Sequence, residues 1–414
     1  MGFGNGAIGN FFRRHRSIFT LGLMALVLAA MADLGAGIFL SNMEDYLIAV
    51  PGMMVLIYSA ISMRGMVFGA MGSRLGTSMH MGTFDLSFKK GSVLRSNIES
   101  GMVLTLFMSL LIGIVGWLVV QALFATEARN ISIVDFTFIS MLGGTLAGMA
   151  IITVNILVAY IGFKKDWDVD NITAPIIAAA GDVITIPMVF VATWMYFNVP
   201  RLVNWSICAV LVAIALVTFF MVAMRRDQTT GRRRIVDEAK RIVVQSLPIL
   251  FVCLLLEICA GVIIENKTET FVSYAVLLVL LPAFLNEGNA LSGMLTARLS
   301  TKLHMGTMDA KPFPPKEAYD NFATMYILAG ITFAVIFLAA YAIAPPTLPF
   351  GTVFAIVMLA GLIATTVINV LSYYVATLAV RFNLDPDDHC IPITSATMDI
   401  ACALILTFVI GLFV

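Results

Sequence analysis

The sequence predicts an all-α polytopic membrane protein of about 11 transmembrane helices, built from two parallel five-helix repeats and one linking helix. Three observations lead to this fold class. The 414 residues are 60% hydrophobic and only 12% charged, a composition too apolar for a soluble domain. Apolar runs of about 20 residues recur along the whole chain. The second half of the chain also repeats the first.

Eleven apolar runs are long enough to cross a bilayer about 30 Å thick as helices. With the N-terminus in the cytoplasm, the cytoplasmic segments hold 21 of the 25 Lys and Arg residues, as the positive-inside rule requires. We therefore expect a multi-pass protein of the cell membrane whose N-terminus is cytoplasmic and whose C-terminus is outside. The predicted spans lie near residues 17–40, 47–72, 101–125, 134–162, 173–198, 203–224, 242–264, 271–296, 320–344, 350–380 and 390–414.

The two halves match each other at fixed offsets. RLGTSMHMGT at 74–83 matches RLSTKLHMGT at 298–307, at an offset of 224. Further along the chain the offset is 217, and 13 of the 42 residues from 141 to 182 are identical to the residue 217 positions later. Because five helices cross the membrane an odd number of times, the sixth span is needed to return the chain. The repeats are therefore predicted to be parallel, related by a pseudo-twofold axis along the membrane normal. The predicted domains are a first repeat at 1–200, a linking helix with a basic loop at 201–241, and a second repeat at 242–414.

One pair of aspartates lies at the same depth of the fifth and eleventh spans. Asp182 in AAAGDVITIP and Asp399 in SATMDIACA are related by the same offset of 217. Asp182 would lie about 14 Å along its span, close to the bilayer centre. A carboxylate at that depth is costly unless it faces water, a partner or an ion. A buried aspartate that caps neighbouring backbone is the structural alternative. We expect an ion site at which the two aspartates face each other across the axis.

A second acidic pair, Asp33 and Glu257, lies in the first helix of each repeat. Because the two residues match in type and position, we expect them to face the protein interior rather than lipid. Three roles are open to them: ion ligands, proton carriers or partners of Arg64. The net charge of the chain is zero, which leaves no electrostatic basis for binding nucleic acid.

The eighth span carries an oxygen-rich group of side chains, Asn286, Glu287 and Asn289, within LNEGNALSG. Carboxylate and amide oxygens beside glycines suit a hard divalent cation and its waters. The first repeat has Arg64 and apolar residues at this level instead. The predicted site is therefore not fully symmetric.

These motifs resemble those of a known family. The residues that carry the resemblance are LNEGNALSGMLTARLSTKLHMGT, the Asp-x-Asp-[Asn/Asp] loops at 168–171 and 385–388, and GDVIT with its partner MDIAC. They are similar to the membrane domain of MgtE-type magnesium transporters, and more closely to solute carriers in which two such five-helix domains are fused. The resemblance covers nearly the whole chain except the sixth helix. It implies a magnesium site on the central axis, to which Asp182 and Asp399 contribute.

We therefore expect a transporter of a divalent cation, magnesium, and not an enzyme. Mg²⁺ is the transported ion rather than a cofactor, the bilayer is the other partner, and the single chain is expected to work as a pseudo-dimer. Channel and coupled-carrier mechanisms, and import and export, stay open. The predicted metal ligands are Asp182, Asp399, Glu287, Asn286, Asn289, Asp33 and Glu257.

Two other functions remain as alternatives. The first is a proton- or sodium-coupled carrier of a small solute, which would use Asp33 and Glu257 for coupling. The second is an intramembrane aspartyl protease, in which two aspartates on adjacent helices share a proton. The Gly-x-Gly-Asp motif of such proteases would need a glycine where this chain has Ala179 or Ala180. The second alternative is therefore the weaker one.

Overall fold

The structure of the protein is a computed structural model. It describes residue 19 and residues 22–89, 91–124, 131–165, 169–225, 228–230, 233–235, 237–345, 347–381 and 391–414. This part of the chain forms thirteen helices and one short β-hairpin. The helices are α1 Leu23–Ser41, α2 Glu44–Ala49, α3 Met53–His80, α4 Val93–Leu123, α5 Ile133–Lys165, α6 Val169–Asn198, α7 Arg201–Ala223, α8 Glu238–Glu265, α9 Thr268–Ser273, α10 Ala275–His304, α11 Lys316–Ile343, α12 Phe350–Arg381 and α13 Ile391–Phe413, and the strands are β1 Gln228–Thr230 and β2 Arg233–Ile235.

Eleven of these helices are long and apolar enough to cross a membrane, by length and composition. This result confirms the predicted all-α membrane fold. The two remaining helices, α2 and α9, are short helices of six residues that precede α3 and α10. The predicted spans 47–72 and 271–296 contained only the last three residues of each of them. Pro51 and Gly52 separate α2 from α3, because Gly52 adopts a left-handed backbone conformation with φ 85°.

Several helices extend beyond the apolar run that predicted them. Helix α4 begins at Val93 rather than near residue 101, because the Ser92 side chain caps it by accepting a hydrogen bond from the Arg95 amide. The Asp237 side chain caps α8 in the same way through the Lys240 amide, at 3.0 Å. The linker before α8 contains the antiparallel β1–β2 hairpin, which the sequence analysis did not predict.

The chain forms two compact units. Unit 1 contains the described residues up to Ile38 together with Phe271–Val414, and unit 2 contains Phe39–Thr270. In unit 1, α10 packs against α11, α12 and α13. In unit 2, α3 packs against α4, α5, α6 and α8. In each unit, the second helix of one predicted repeat therefore packs against at least three other long helices.

The compact units divide the chain differently from the predicted repeats. Helix α1, the first helix of the first repeat, lies in unit 1 as far as Ile38, and α8, the first helix of the second repeat, lies in unit 2. Each of the two helices crosses its neighbour at a glycine. Gly37 of α1 lies against the backbone of Val279 in α10, and Gly261 of α8 lies against the backbone of Val55 in α3. The two contacts are equivalent in the repeat, because Gly261 matches Gly37 and Val279 matches Val55 at the offset of 224. The units therefore combine each first helix with the helices of the other half of the sequence.

The linking helix α7 packs on α4 and α5 within unit 2. Leu106, Leu110, Met141 and Ala215 form a shared apolar cluster. Near the start of α7, Arg201 forms an ion pair of 2.7 Å with Asp135, whose side chain is fully buried. Just beyond its other end, Arg225 forms an ion pair with Glu99 of α4. Helix α7 is therefore held against α4 and α5 at both of its ends and in the middle.

Candidate functional site

Two buried aspartates of unit 1 are held by side-chain amides of α10. The Asn286 Nδ2 donates a hydrogen bond of 2.8 Å to Asp33 Oδ2 of α1. One turn further along α10, the Asn289 Nδ2 donates a hydrogen bond of 2.7 Å to Asp399 Oδ1 of α13. Asparagine donors of this kind stabilise the ionised carboxylate and fix its orientation. Helix α10 therefore positions these two aspartates.

Glu287 lies between these two asparagines in the sequence and turns toward a third helix. Its side chain is 2% exposed. It lies beside Thr332 of α11 and close enough to Asp33 to interact with it electrostatically. Within the described part of the chain, Glu287 Oε1 has no hydrogen-bond partner. A buried carboxylate oxygen without a donor can accept a hydrogen bond from water or contact a cation.

In unit 2 the corresponding acids are Asp182 on α6 and Glu257 on α8. Asp182 is 6% exposed and Glu257 is 1% exposed, as are Asp399 and Asp33 respectively. The prediction that Asp33 and Glu257 face the protein interior is thereby confirmed. Gly181 precedes Asp182. A Cβ atom added to Gly181 would lie 4.0 Å from the amide nitrogen of Gly65 in α3.

The two aspartates of the matched pair have different surroundings. At the offset of 224, Gly65 of α3 occupies the position of Asn289 in α10. Helix α3 therefore offers Asp182 no equivalent of the side-chain amide that holds Asp399. The asymmetry between the repeats thus includes the position of Asn289, which is a glycine in α3, as well as the rest of the cluster on the second helix.

Arg64 does not pair with an acid of unit 2 in the part of the chain that the structure describes. Its guanidinium donates to the Ala60 carbonyl oxygen and, at 3.1 Å, to the Ser109 hydroxyl of α4. Within unit 2, Arg64 therefore donates to neutral groups, and the three roles open to Asp33 and Glu257 stay predictions. Unit 1 fills the equivalent volume with an aromatic ring, because the residue that corresponds to Ser109 is Phe333, which packs against Gly361.

The structure brings the seven predicted ligands together in part. It joins Asp33 to Asn286, and Asp399 to Asn289, in unit 1. Among the described residues, no group of three or more His, Cys, Asp or Glu side chains is arranged to hold a metal ion. Sites of one or two carboxylates are nevertheless sufficient for Mg²⁺, which keeps several of its own waters. The side chains of the Asp-x-Asp loops at 168–171 and 385–388 lie outside the described residues.

The sequence analysis missed polar residues that continue this face of unit 1 toward α12. The hydroxyls of Ser292 and Ser372 lie 3.4 Å apart. Asn369, one turn before Ser372, is 3% exposed, and neither its Oδ1 nor its Nδ2 has a partner among the described residues. The sequence carried a signal for Ser292, because it follows Asn289 at helical spacing. Asn369 carried the same kind of signal, because Thr365 and Ser372 flank it at helical spacing on α12.

Comparison with known proteins gives the family. The MgtE family model, a divalent cation transporter, matches residues 57–192 and 281–409, well over half of the chain. The chain belongs to the MgtE family. The two matched regions are displaced by the offsets of the internal repeat, 224 at their starts and 217 at their ends. The protein is thus a divalent cation transporter of the membrane and not an enzyme. The protease alternative is excluded on this ground.

Two mammalian proteins are similar to this MgtE-family chain over most of its length. Solute carrier family 41 member 3 of Mus musculus is 22% identical over 403 residues, which cover 92% of this chain and 80% of the relative. Its counterpart in Rattus norvegicus is 21% identical over 397 residues, with 91% and 83% coverage. A solved inward-facing MATE-family multidrug resistance transporter matches at 13% identity, a TM-score of 0.27, and coverage of 94% and 93%. A similarity that low supports no conclusion about this fold.

Proposed function

We propose that this MgtE-family protein transports magnesium and that its buried carboxylates are the groups that contact the hydrated ion. The observation that carries the proposal is the Asn289–Asp399 hydrogen bond of 2.7 Å. It fixes one oxygen of an aspartate inside a transmembrane helix and keeps its charge stabilised. The aspartate is thereby oriented in advance to receive a cation.

The chemistry of these groups favours Mg²⁺ among the divalent cations. Mg²⁺ gives up its waters reluctantly and binds proteins through one or two carboxylates while it keeps the rest of its hydration shell. The absence of any three-acid cluster among the described residues fits that mode of binding. Carbonyl and amide oxygens along a path can then hold the bound waters and select by size and charge.

We further propose that Asp182 and Asp399 act on the same ion. The proposal rests on the repeat, which places both residues at the same position of equivalent helices, α6 and α13. Two carboxylates would balance the charge of one divalent cation. Asp33, Glu257, Asn286, Glu287 and Asn289 would serve as further contacts along the path. In this proposal the single chain works as a pseudo-dimer of its two repeats.

The orientation in the cell membrane is also proposed. The distribution of Lys and Arg favours a cytoplasmic N-terminus and an outer C-terminus, because basic residues are retained on the cytoplasmic side. Ion pairs on the surface of unit 2 use some of these basic residues, such as Arg225 with Glu99 and Asp237. Accessibility of a cysteine introduced next to Val414 to an impermeant reagent tests this orientation.

The test of the function is magnesium flux into liposomes that contain the purified protein. Asp182→Asn and Asp399→Asn each remove one charge at nearly constant shape. Each should reduce the flux sharply, and the double variant should abolish it. Asp309→Asn is the matched control, because its side chain is 73% exposed and lies in the loop after α10. Wild-type flux in a well-folded double variant would disprove the proposal. Flux measured with and without sodium or proton gradients tests whether transport is coupled.

A further inference from the structure

A groove of about 500 Å³ lies in unit 2 between α4, α5 and the linking helix α7. That volume is within the range of cavities that bind small organic molecules. Seven apolar side chains and two threonines line the groove, together with Glu99 and Arg225. None of these residues belongs to the candidate cation site. The groove is therefore a separate feature of the molecule.

The packing of α7 on α4 closes the groove at two points. Phe219 of α7 stacks on Phe107 of α4, with ring centroids 4.2 Å apart. Near the end of α7, the Arg225 guanidinium forms an ion pair with Glu99 of α4. The space between these two contacts is bounded by three helices, so a chain that lies in it would contact protein on three sides.

The groove is open along the edge between α5 and α7. Met149 of α5 and Met221 of α7 line it and are 44% and 58% exposed. Helix α7 is also the least buried of the eleven candidate spans. The hydrocarbon core of a bilayer contains no water that could fill such an opening. The occupant with access to the groove is therefore a lipid acyl chain rather than a polar solute.

The polarity of the groove changes along its length in the same direction as that of a lipid. Arg225 is the first charged residue after the apolar run of α7 and therefore marks the edge of the hydrocarbon core. From there the groove extends to Thr218, seven residues earlier, or about 10 Å deeper. Its charged end lies where lipid headgroups lie, and its apolar part lies at the depth of the acyl chains.

The charged end of the groove can receive a phosphate. Arg225 is paired with the carboxylates of Glu99 and, at 3.5 Å, Asp237. The Lys240 Nζ donates a hydrogen bond of 2.7 Å to the Arg225 carbonyl oxygen, and an ammonium group has three donors in all. These four charges cancel one another. The surrounding segment 225–241 holds seven basic and three acidic residues, and its net positive charge attracts anionic headgroups.

We propose that this groove binds one anionic phospholipid of the leaflet at which α7 ends. One acyl chain would lie between Met149 and Met221, and the phosphate would accept a hydrogen bond from Lys240. The bound chain would fill the space between α5 and α7 beside the Phe219 contact. The proposal does not depend on the proposed function, because lipid binding can be measured without transport.

The test is native mass spectrometry of the purified protein with added phosphatidylglycerol or phosphatidylcholine. The wild type should bind one phosphatidylglycerol at a concentration at least tenfold lower than phosphatidylcholine. Lys240→Gln should weaken phosphatidylglycerol binding by about tenfold or more, the effect of one lost hydrogen bond to a charged group. Lys316→Gln is the matched control, because Lys316 is an exposed lysine at the start of α11, away from the groove, and it should bind like the wild type.

A second variant fills the apolar part of the groove. Thr153 lines the groove on α5, and its hydroxyl bonds the Met149 carbonyl of its own helix at 2.9 Å. Thr153→Phe should therefore leave the fold intact and weaken the binding of phosphatidylglycerol by about tenfold. Leu157→Phe is the matched control, since Leu157 lies one turn further along α5, is 55% exposed and does not line the groove.

Equal wild-type binding of the two lipids would overturn the proposal, because the groove would then hold bulk lipid only. Phosphatidylglycerol affinity that is unchanged in both Lys240→Gln and Thr153→Phe would also overturn it, because the lipid would then bind elsewhere. Electron cryomicroscopy of the wild type in phosphatidylglycerol nanodiscs decides the case in which a variant fails to fold. Density for one acyl chain between α5 and α7 should be stronger than around the other helices, and an empty groove would contradict the proposal.

Discussion

Replacement of Gly37 by alanine tests the packing of α1 in unit 1. An added Cβ would lie 2.7 Å from the carbonyl carbon of Val279 and 2.9 Å from its Cα, and closer still to its carbonyl oxygen. All three atoms are backbone, so no side chain can rotate to make room. Helix α1 would have to move away from α10 by about 1 Å or more to restore ordinary contact distances.

The magnitude follows from two contributions. Overpacking of a tight contact costs about 1–3 kcal/mol. Asp33 lies one turn before Gly37 on the same face of α1, so the same movement would lengthen its hydrogen bond of 2.8 Å to Asn286. A hydrogen bond to a charged group contributes about 1.5–3 kcal/mol. We therefore expect Gly37→Ala to destabilise unit 1 by roughly 2.5–6 kcal/mol.

The assay is thermal unfolding of the purified protein in detergent, followed by the elution of the folded fraction in size-exclusion chromatography. Gly35→Ala is the matched control on the same helix, because an added Cβ there meets nothing within 4 Å among the described residues. Alanine favours a helix over glycine by about 1 kcal/mol, so this control should be neutral or slightly stabilised. Equal unfolding temperatures for the two variants would show that α1 does not pack on α10 as described.

Three further predictions concern the site and the linking helix. Glu287→Gln should reduce magnesium flux strongly, whereas Met63→Leu at the matching position of the first repeat should leave the flux unchanged. Equal effects of the two changes would show that the asymmetry between the repeats has no functional role. Asp135→Asn should lower the unfolding temperature, because it weakens the Arg201 ion pair and the Trp205 hydrogen bond of 2.9 Å. Unchanged unfolding would show that α7 is held by apolar contacts alone. The halves 1–198 and 242–414, expressed as separate chains with a basic leader added to the second, should co-purify and retain magnesium flux. The reason is that each half supplies its first helix to the compact unit of the other half. Halves that insert into the membrane but never associate would contradict this exchange.

Much of the fold could be predicted from the sequence because of the membrane itself. A bilayer offers no hydrogen-bond partners, so each apolar run must form a helix that satisfies its own backbone. Hydropathy therefore located the eleven spans. It also placed Asp33 and Glu257 inside the protein, because an exposed carboxylate in lipid is too costly. Hydropathy did not fix the helix ends, since polar turns such as the start of α4 at Val93 lie beyond the apolar run.

The candidate site was predicted only as a set of residues. Composition and position identified the acids and the Asn286–Asn289 group, because oxygen-rich side chains in a transmembrane helix are rare and functional. Their pairing could not be predicted, since Asn286 and Asp33 are 253 residues apart and Asn289 and Asp399 are 110 apart. Such contacts depend on which helices pack together, and the spacing of residues along one helix carries no information about that.

The sequence by itself determined that this chain is a duplicated, eleven-span membrane transporter with acids in its interior. Only the tertiary structure decided that α1 and α8 are exchanged between the compact units, and that Arg64 turns to Ser109 within unit 2. The physical reason is the same in each case. Hydrophobic periodicity records whether a residue is buried, whereas glycine contacts such as Gly37 on Val279 and Gly261 on Val55 determine which helices can approach closely enough to pack.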